Sequence, residues 1–145
     1  MTSPALPDRD PYAEIERLMI VPRRADGAVL LVRRAEGAAP GMVSTVAPAP
    51  PETLDEAVAR VLYTHLGVRT RGGVTVAAPR HPARMPHPRR GADGAGWLRA
   101  LAVTVEGDPS PDPTLAAVEA FTPEEALAAL PTDLERAVLA DALAL

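Results

Sequence analysis

Cysteine is absent from this 145-residue chain. That absence excludes disulfides, zinc sites built on thiolates and a thiol nucleophile. Lysine, asparagine and glutamine are absent too, so all 15 basic residues are arginine. Without lysine there is neither a Schiff-base amine nor a phosphate-loop lysine. Abundant alanine alongside 17 prolines points to the coding bias of a G+C-rich genome, so arginine content alone carries little functional weight. No apolar run reaches the ~20 residues that span a bilayer, and no membrane association is expected. Residues 1–11 lack the basic, apolar, small-residue order of a secretory leader. The expected compartment is the cytoplasm. A formal net charge of −4 argues against a nucleic-acid partner, because such binders usually carry a basic excess.

What is present suffices for one core. Hydrophobic residues make up 47% of the chain and charged residues 23%, and this length fits one domain. Residues 1–13, broken by Pro4, Pro7 and Pro11, are expected to form a flexible tail. Residues 14–145 are expected to form a single folded domain.

The apolar run 17–22 (RLMIVP) predicts a buried strand. Asp26-Gly27 marks a hairpin turn, and 28–33 (AVLLVR) is the return strand. Residues 36–51, rich in Ala, Gly and Pro, predict a loop. The clearest helix covers 53–66. Thr53 and Glu56 form a capping box, Leu54, Val58, Val61, Leu62 and Leu66 recur at helical spacing, and Gly67 ends the helix. Residues 74–78 predict a strand. Residues 80–96 predict a loop, because Pro82, Pro86 and Pro88 interrupt regular structure. A long strand follows at 97–105, then a turn-rich link at 107–113 and a short strand at 115–121. Thr122-Pro123-Glu124-Glu125 opens a short helix, and 133–143 predicts a last one. Strands alternating with helices, hairpins included, indicate an α/β domain with a mixed sheet covered by helices.

This order of strand, Asp-Gly hairpin, strand, Pro-Gly loop, capped helix and Gly resembles the Nudix family. The family signature is G-x5-E-x7-R-E-U-x-E-E-x-G-U, with U a bulky aliphatic residue. Glu52 falls on its first Glu, Arg60 on its Arg, Leu62 on its aliphatic position and Gly67-Val68 on its closing pair. The run 51–57 (PETLDEA) and the segment 118–127 (VEAFTPEEAL) are similar to further family features. The resemblance covers roughly residues 17–130. It implies a Nudix-like α/β/α sandwich around a mixed sheet.

The departures fall on the chemistry. In the family, glutamates of the R-E-U-x-E-E segment hold Mg²⁺ or Mn²⁺. The matching positions here are Val61, Thr64 and His65. Magnesium requires oxygen ligands in octahedral geometry; valine offers none, threonine a weak neutral one, and histidine a nitrogen suited to transition metals. Pro48, Pro50 and Pro51 replace the family's Gly-rich loop and lack the N–H groups that would cradle a phosphate. The expectation is therefore no bound metal and no cofactor.

The candidate catalytic residues are Glu52, Arg60 and His65. Each has a simpler structural role beside it. Arg60 would pair with Glu56 one turn earlier. Glu52 would favour the helix N-terminus by its charge, and His65 the C-terminus. The segment 80–90 concentrates cations in an acidic chain. Arg80, Arg84, Arg89 and Arg90 are its candidate ligand-binding residues, because guanidinium forks match phosphate; a solvated Pro-rich loop is the plainer alternative. Among the acidic residues Glu106, Asp108, Asp112 and Glu119, Glu119 is the best placed to act as a base, but solubility is the preferred explanation of all four.

Three readings follow. The first is a divergent Nudix-like domain that binds a nucleotide-like or other phosphorylated small molecule, or a protein partner, without standard magnesium-dependent hydrolysis. The second is a hydrolase of nucleoside-diphosphate-type compounds with an altered, metal-independent mechanism. The third is a structural or homodimeric module that uses its C-terminal helix as an interface.

Overall fold

A computed structural model describes residues 15–86 and 93–145 of the chain. The expected tail at 1–13, and Arg89 and Arg90, lie outside the described residues. The elements in order are β1 (Ile15–Arg23), β2 (Val29–Arg33), β3 (Val43–Thr45), α1 (Leu54–Leu66), β4 (Arg69–Val76), β5 (His81–Pro86), β6 (Asp93–Glu106), β7 (Ala117–Phe121), α2 (Pro123–Ala129) and α3 (Asp133–Leu143).

All the strands join one mixed sheet with the order β4-β6-β1-β2-β7. β1 and β6 run parallel over nine residue pairs, from Ile15–Gly96 to Arg23–Thr104. The other pairings are antiparallel. Two features depart from a simple ladder. β1 meets β2 only at its end, Arg23 with Val29. Earlier along the strand, Leu18–Ile20 pair instead with β3. The sheet is thus split between β2 and β3, and a single bridge, Val32 with Gly41, marks where they part.

The second departure is on β6. Its later half pairs with β4 and its earlier half with β5. At the changeover the Arg99 guanidinium donates from Nε and Nη2 to the Ala77 carbonyl, at 2.9 and 2.8 Å, and the Ala77 N–H bonds Ala100 O. Arg99 Nη1 also reaches Glu16 at 3.3 Å.

Alternation along the strands sends consecutive residues to opposite faces. Ile20 and Leu30 pack with Val58, Leu62 and Leu66 of α1. Val21 and Leu31 pack instead with Leu130, Val138 and Leu139 of the α2–α3 side. Helices therefore cover both faces. Leu62 and Leu66 are fully buried, each contributing about 1.5–3 kcal/mol by removal from water. The expected use of the C-terminal helix as an interface meets a competing demand: Val138, Leu139 and Ala142 of α3 are buried within this chain.

The capping box of α1 forms as the sequence predicts, with Thr53 N–H to Glu56 Oε1 at 2.9 Å and Glu56 N–H to Thr53 Oγ1 at 3.2 Å. Gly67 closes the helix at φ +72°. A β-carbon there would also meet Ser110, at 2.8 Å from its Cβ and 2.9 Å from its O. The close approach arises because the link after β6 caps the helix: Ser110 N–H bonds Leu66 O at 2.7 Å and Asp112 N–H bonds His65 O at 3.0 Å.

Two loop expectations are corrected. Residues 43–45, placed in the loop 36–51, form β3. Residues 81–86, placed in the loop 80–96, form β5 despite Pro82 and Pro86. Among the described residues β5 pairs only with β6, and an edge strand tolerates prolines because its outward N–H groups are not needed. β4 also begins at Arg69, five residues before the expected start.

Candidate ligand-binding site

The split between β2 and β3 gives three neighbours access to one place: β1, the chain just after β2, and the exposed flank of α1. A cavity of about 220 Å³ forms there. Its basic lining residues are Arg17 of β1, Arg34 just past β2, and His65 of α1. Ser44 of β3 and Thr114 of the link supply hydroxyls, and Val43, Val61 and Leu115 supply apolar wall.

Arg17 donates from Nε to Ser44 Oγ at 3.3 Å. No carboxylate among the described residues lies within ion-pair distance of Arg17 or Arg34. Most arginines elsewhere are paired: Arg33 with Glu119 at 2.6 Å, Arg60 with Glu52 at 2.9 Å, and Arg80 with Glu16 at 3.0 Å. Asp112 lies behind the lining, bonded to two of its residues. It holds His65 Nδ1 at 2.6 Å and accepts from the backbone N–H and hydroxyl of Thr114. The Thr114 hydroxyl is the main influence that lowers the Asp112 carboxyl below its ordinary range; partial burial opposes it, and His65 adds to the lowering. With Asp112 ionised, Nδ1–H of His65 is the donor, which leaves Nε2 as the ring nitrogen without that partner.

The residues singled out from sequence do not form one constellation. Glu52 and Arg60 come together: Arg60 donates from Nε to Glu52 Oε2 at 2.9 Å and from Nη2 to Oε1 at 3.0 Å. The expected partner of Arg60, Glu56, is instead occupied in the capping box. The Arg60 hydrogen bonds hold the Glu52 carboxyl below its usual value, and Glu52 in turn raises the Arg60 guanidinium. Glu52 and Glu56 line a separate cleft of about 390 Å³ with Ala49 and Pro51. His65 belongs to the other cavity.

Arg80 is engaged by Glu16 and stacks over the Trp97 ring at 4.5 Å from its centroid, so it is a structural strut on β6. Arg84 is exposed on β5. His81, next to Arg80, bonds Asp141 of α3 at 2.6 Å and ties β5 to that helix. Glu119, weighed as a base, is held by Arg33. Sequence reasoning missed Arg17 and Arg34, and assigned Asp112 to solubility. No local motif marks these residues; only the split of the sheet and the return of the link to α1 bring them together.

A family model of the NUDIX domain matches residues 15–142. The chain belongs to the NUDIX family. Solved structures of similar fold include the NUDIX domain of Shewanella oneidensis NrtR complexed with ADP ribose, with a TM-score of 0.68 and 15% identity, covering 99% of this chain and 98% of that one. A MutT protein from Methanosarcina mazei Go1 has a TM-score of 0.64 and 18% identity, covering 88% and 91%. A protein from Jonesia denitrificans described as a possible asymmetric diadenosine tetraphosphate hydrolase has a TM-score of 0.60 and 25% identity, covering 91% and 94%. A search of curated proteins gave no significant match.

NUDIX chemistry implies a divalent cation on the signature helix. The donor set here does not fit one. Val61 offers no ligand atom, Thr64 is an exposed neutral hydroxyl, and none of the side chains lining the cavity is a carboxylate, whereas magnesium is bound through carboxylate and other oxygens. Among the described residues no group of three or more His, Asp or Glu is placed to hold a metal ion. Among the same residues, no helix is long and apolar enough to cross a membrane.

Proposed function

We propose that this NUDIX domain binds a nucleotide-like, phosphorylated small molecule in the cavity beside α1 and does not perform magnesium-dependent hydrolysis. The observation that carries this reading is the content of that cavity. Of the three α1 positions where the family pattern has glutamates, Val61 and His65 line the cavity and Thr64 is exposed outside it, and the adjoining wall carries Arg17 and Arg34. A site built for a metal–diphosphate complex is negative before the metal arrives; this one is positive. The ADP ribose carried by the NrtR NUDIX domain supports the choice of ligand class. Arg84, Arg89 and Arg90 remain candidates for phosphate contact by the chemistry of their guanidinium forks alone.

The test is a thermal-shift screen of nucleoside diphosphates, ADP-ribose and dinucleoside polyphosphates, with chelator or with Mg²⁺, alongside chromatography of the products. A ligand at 100 times its dissociation constant stabilises the native state by about 2.7 kcal/mol. The expected result is a raised melting temperature in chelator and intact ligand. Magnesium-dependent cleavage that Glu52→Gln abolishes would refute the reading.

One observation favours a second reading, a metal-independent hydrolase. His65 is held through Nδ1 by an ionised Asp112, which is how a general base is oriented. Glu52 and Arg60 would then serve only to brace the helix start. This reading requires turnover that persists in chelator and disappears in His65→Ala. Turnover unaffected by that substitution removes it.

A further inference from the structure

We propose that Arg17 and Arg34 take the place of the family's divalent cation, so that the cavity grips the phosphate end of its ligand directly and without metal. The inference rests on the functional reading above and narrows it to a diphosphate group and two named cations.

Three observations carry it. The first is charge. Arg17 and Arg34 come from different segments, line the same cavity, and have no carboxylate partner among the described residues. Two like charges lining one cavity repel each other, and without a carboxylate in the lining an entering anion relieves that repulsion. Asp112 is bound to the lining residues His65 and Thr114 and is not itself part of the lining.

The second is hydrogen-bond inventory. A guanidinium carries five N–H donors and no acceptor. Arg17 uses Nε on Ser44 Oγ, which leaves its Nη groups available. Ser44, accepting through oxygen, keeps its own O–H to donate. The wall therefore offers donors in excess, which suits an anion rich in acceptors and suits a metal ion not at all.

The third is size. About 220 Å³ is less than the ~300–1,000 Å³ of clefts that enclose drug-sized ligands. The space accommodates a phosphate or diphosphate, with the remainder of a nucleotide outside it. The cleft at the start of α1 is larger but is lined by Glu52 and Glu56, whose charge repels phosphate.

The experiment is calorimetric titration of the full chain with inorganic pyrophosphate and with ADP, each in chelator and in Mg²⁺. Wild type is expected to bind both in chelator, and to bind free pyrophosphate at least as tightly as its magnesium complex. Arg17→Met and Arg34→Met should each weaken binding tenfold or more, with Arg17→Lys and Arg34→Lys intermediate. Arg69→Met, on an exposed residue at the start of β4, should bind as wild type. Circular dichroism and melting temperature verify that each variant is folded. Binding in chelator that survives the Arg17→Met/Arg34→Met double substitution in a folded protein overturns the inference and leaves the functional reading standing, whereas binding that requires Mg²⁺ overturns both. If no phosphorylated compound binds wild type under any condition, the functional reading itself falls.

Discussion

Arg60 grips both oxygens of Glu52 across eight positions of sequence, Nε on Oε2 at 2.9 Å and Nη2 on Oε1 at 3.0 Å. The fork joins the segment before α1 to the second turn of that helix. The same fork holds the Glu52 carboxyl below its ordinary range. Arg60→Met is therefore expected to let the Glu52 carboxyl rise toward the usual value of about 4.3, as followed by NMR titration of its side-chain carbonyl carbon. Because the pair is exposed and screened by water, the melting temperature should change little. An unmoved titration would show that the fork does not persist in solution.

Asp112 gives a prediction in pH. Its carboxyl is lowered in the fold, first by the Thr114 hydroxyl and then by His65. A lowered carboxyl contributes stability that is complete above the unfolded value, about 3.9. That contribution is lost as pH falls through the folded value, because protons then bind the unfolded state first. Asp112→Asn should be less stable than wild type at neutral pH, and the gap should close as both are titrated into acid. Denaturant melts at several pH values read it directly. A gap that widened in acid would contradict the assignment.

Gly67 is constrained twice, by its φ of +72° and by Ser110 lying 2.8 Å from where a β-carbon would sit. The left-handed conformation alone costs an alanine about 1–2 kcal/mol. Gly67→Ala should lose more than that in chemical denaturation, since Ser110 must also move. A loss under about 0.5 kcal/mol, which is the scale of unconstrained surface substitutions, would mean that the link does not dock on α1 as described.

Leu62 is fully buried between α1 and the sheet. Leu62→Ala should cost about 2–5 kcal/mol, the transfer and cavity cost of truncating a core leucine. The denaturant midpoint should fall with an unchanged slope. Near-neutrality would place α1 outside the core.

Much of the architecture was legible because each signal was local. Thr53 and Glu56 marked the start of α1, Gly67 its end, and Asp26-Gly27 the hairpin; all three appear where the sequence put them. β3 was hidden because three residues are too short to show a period. β5 was hidden because proline argues against a strand unless the strand is known to lie at an edge, and edges are a property of the assembled sheet. Arg60 was assigned to Glu56 by helical spacing, but Glu56 was already committed to the cap, and the competing partner lay before the helix. Arg17 and Arg34 carried no local signal at all. Their convergence depends on β2 leaving β1 beyond Arg23–Val29, a departure that no periodicity records.

The prolines of β5 have an effect beyond their own strand. Alternate backbone positions of a strand face opposite neighbours, and of the set Pro82, Arg84 and Pro86 only Arg84 retains an amide hydrogen. A foreign peptide approaching that side would find one donor where three would ordinarily zip it into place, flanked by an arginine charge. Unprotected sheet borders are where folded proteins begin to polymerise; this border is defended by its own sequence, and replacing both prolines with threonine would leave only the arginine charge against edge-to-edge recruitment of further chains.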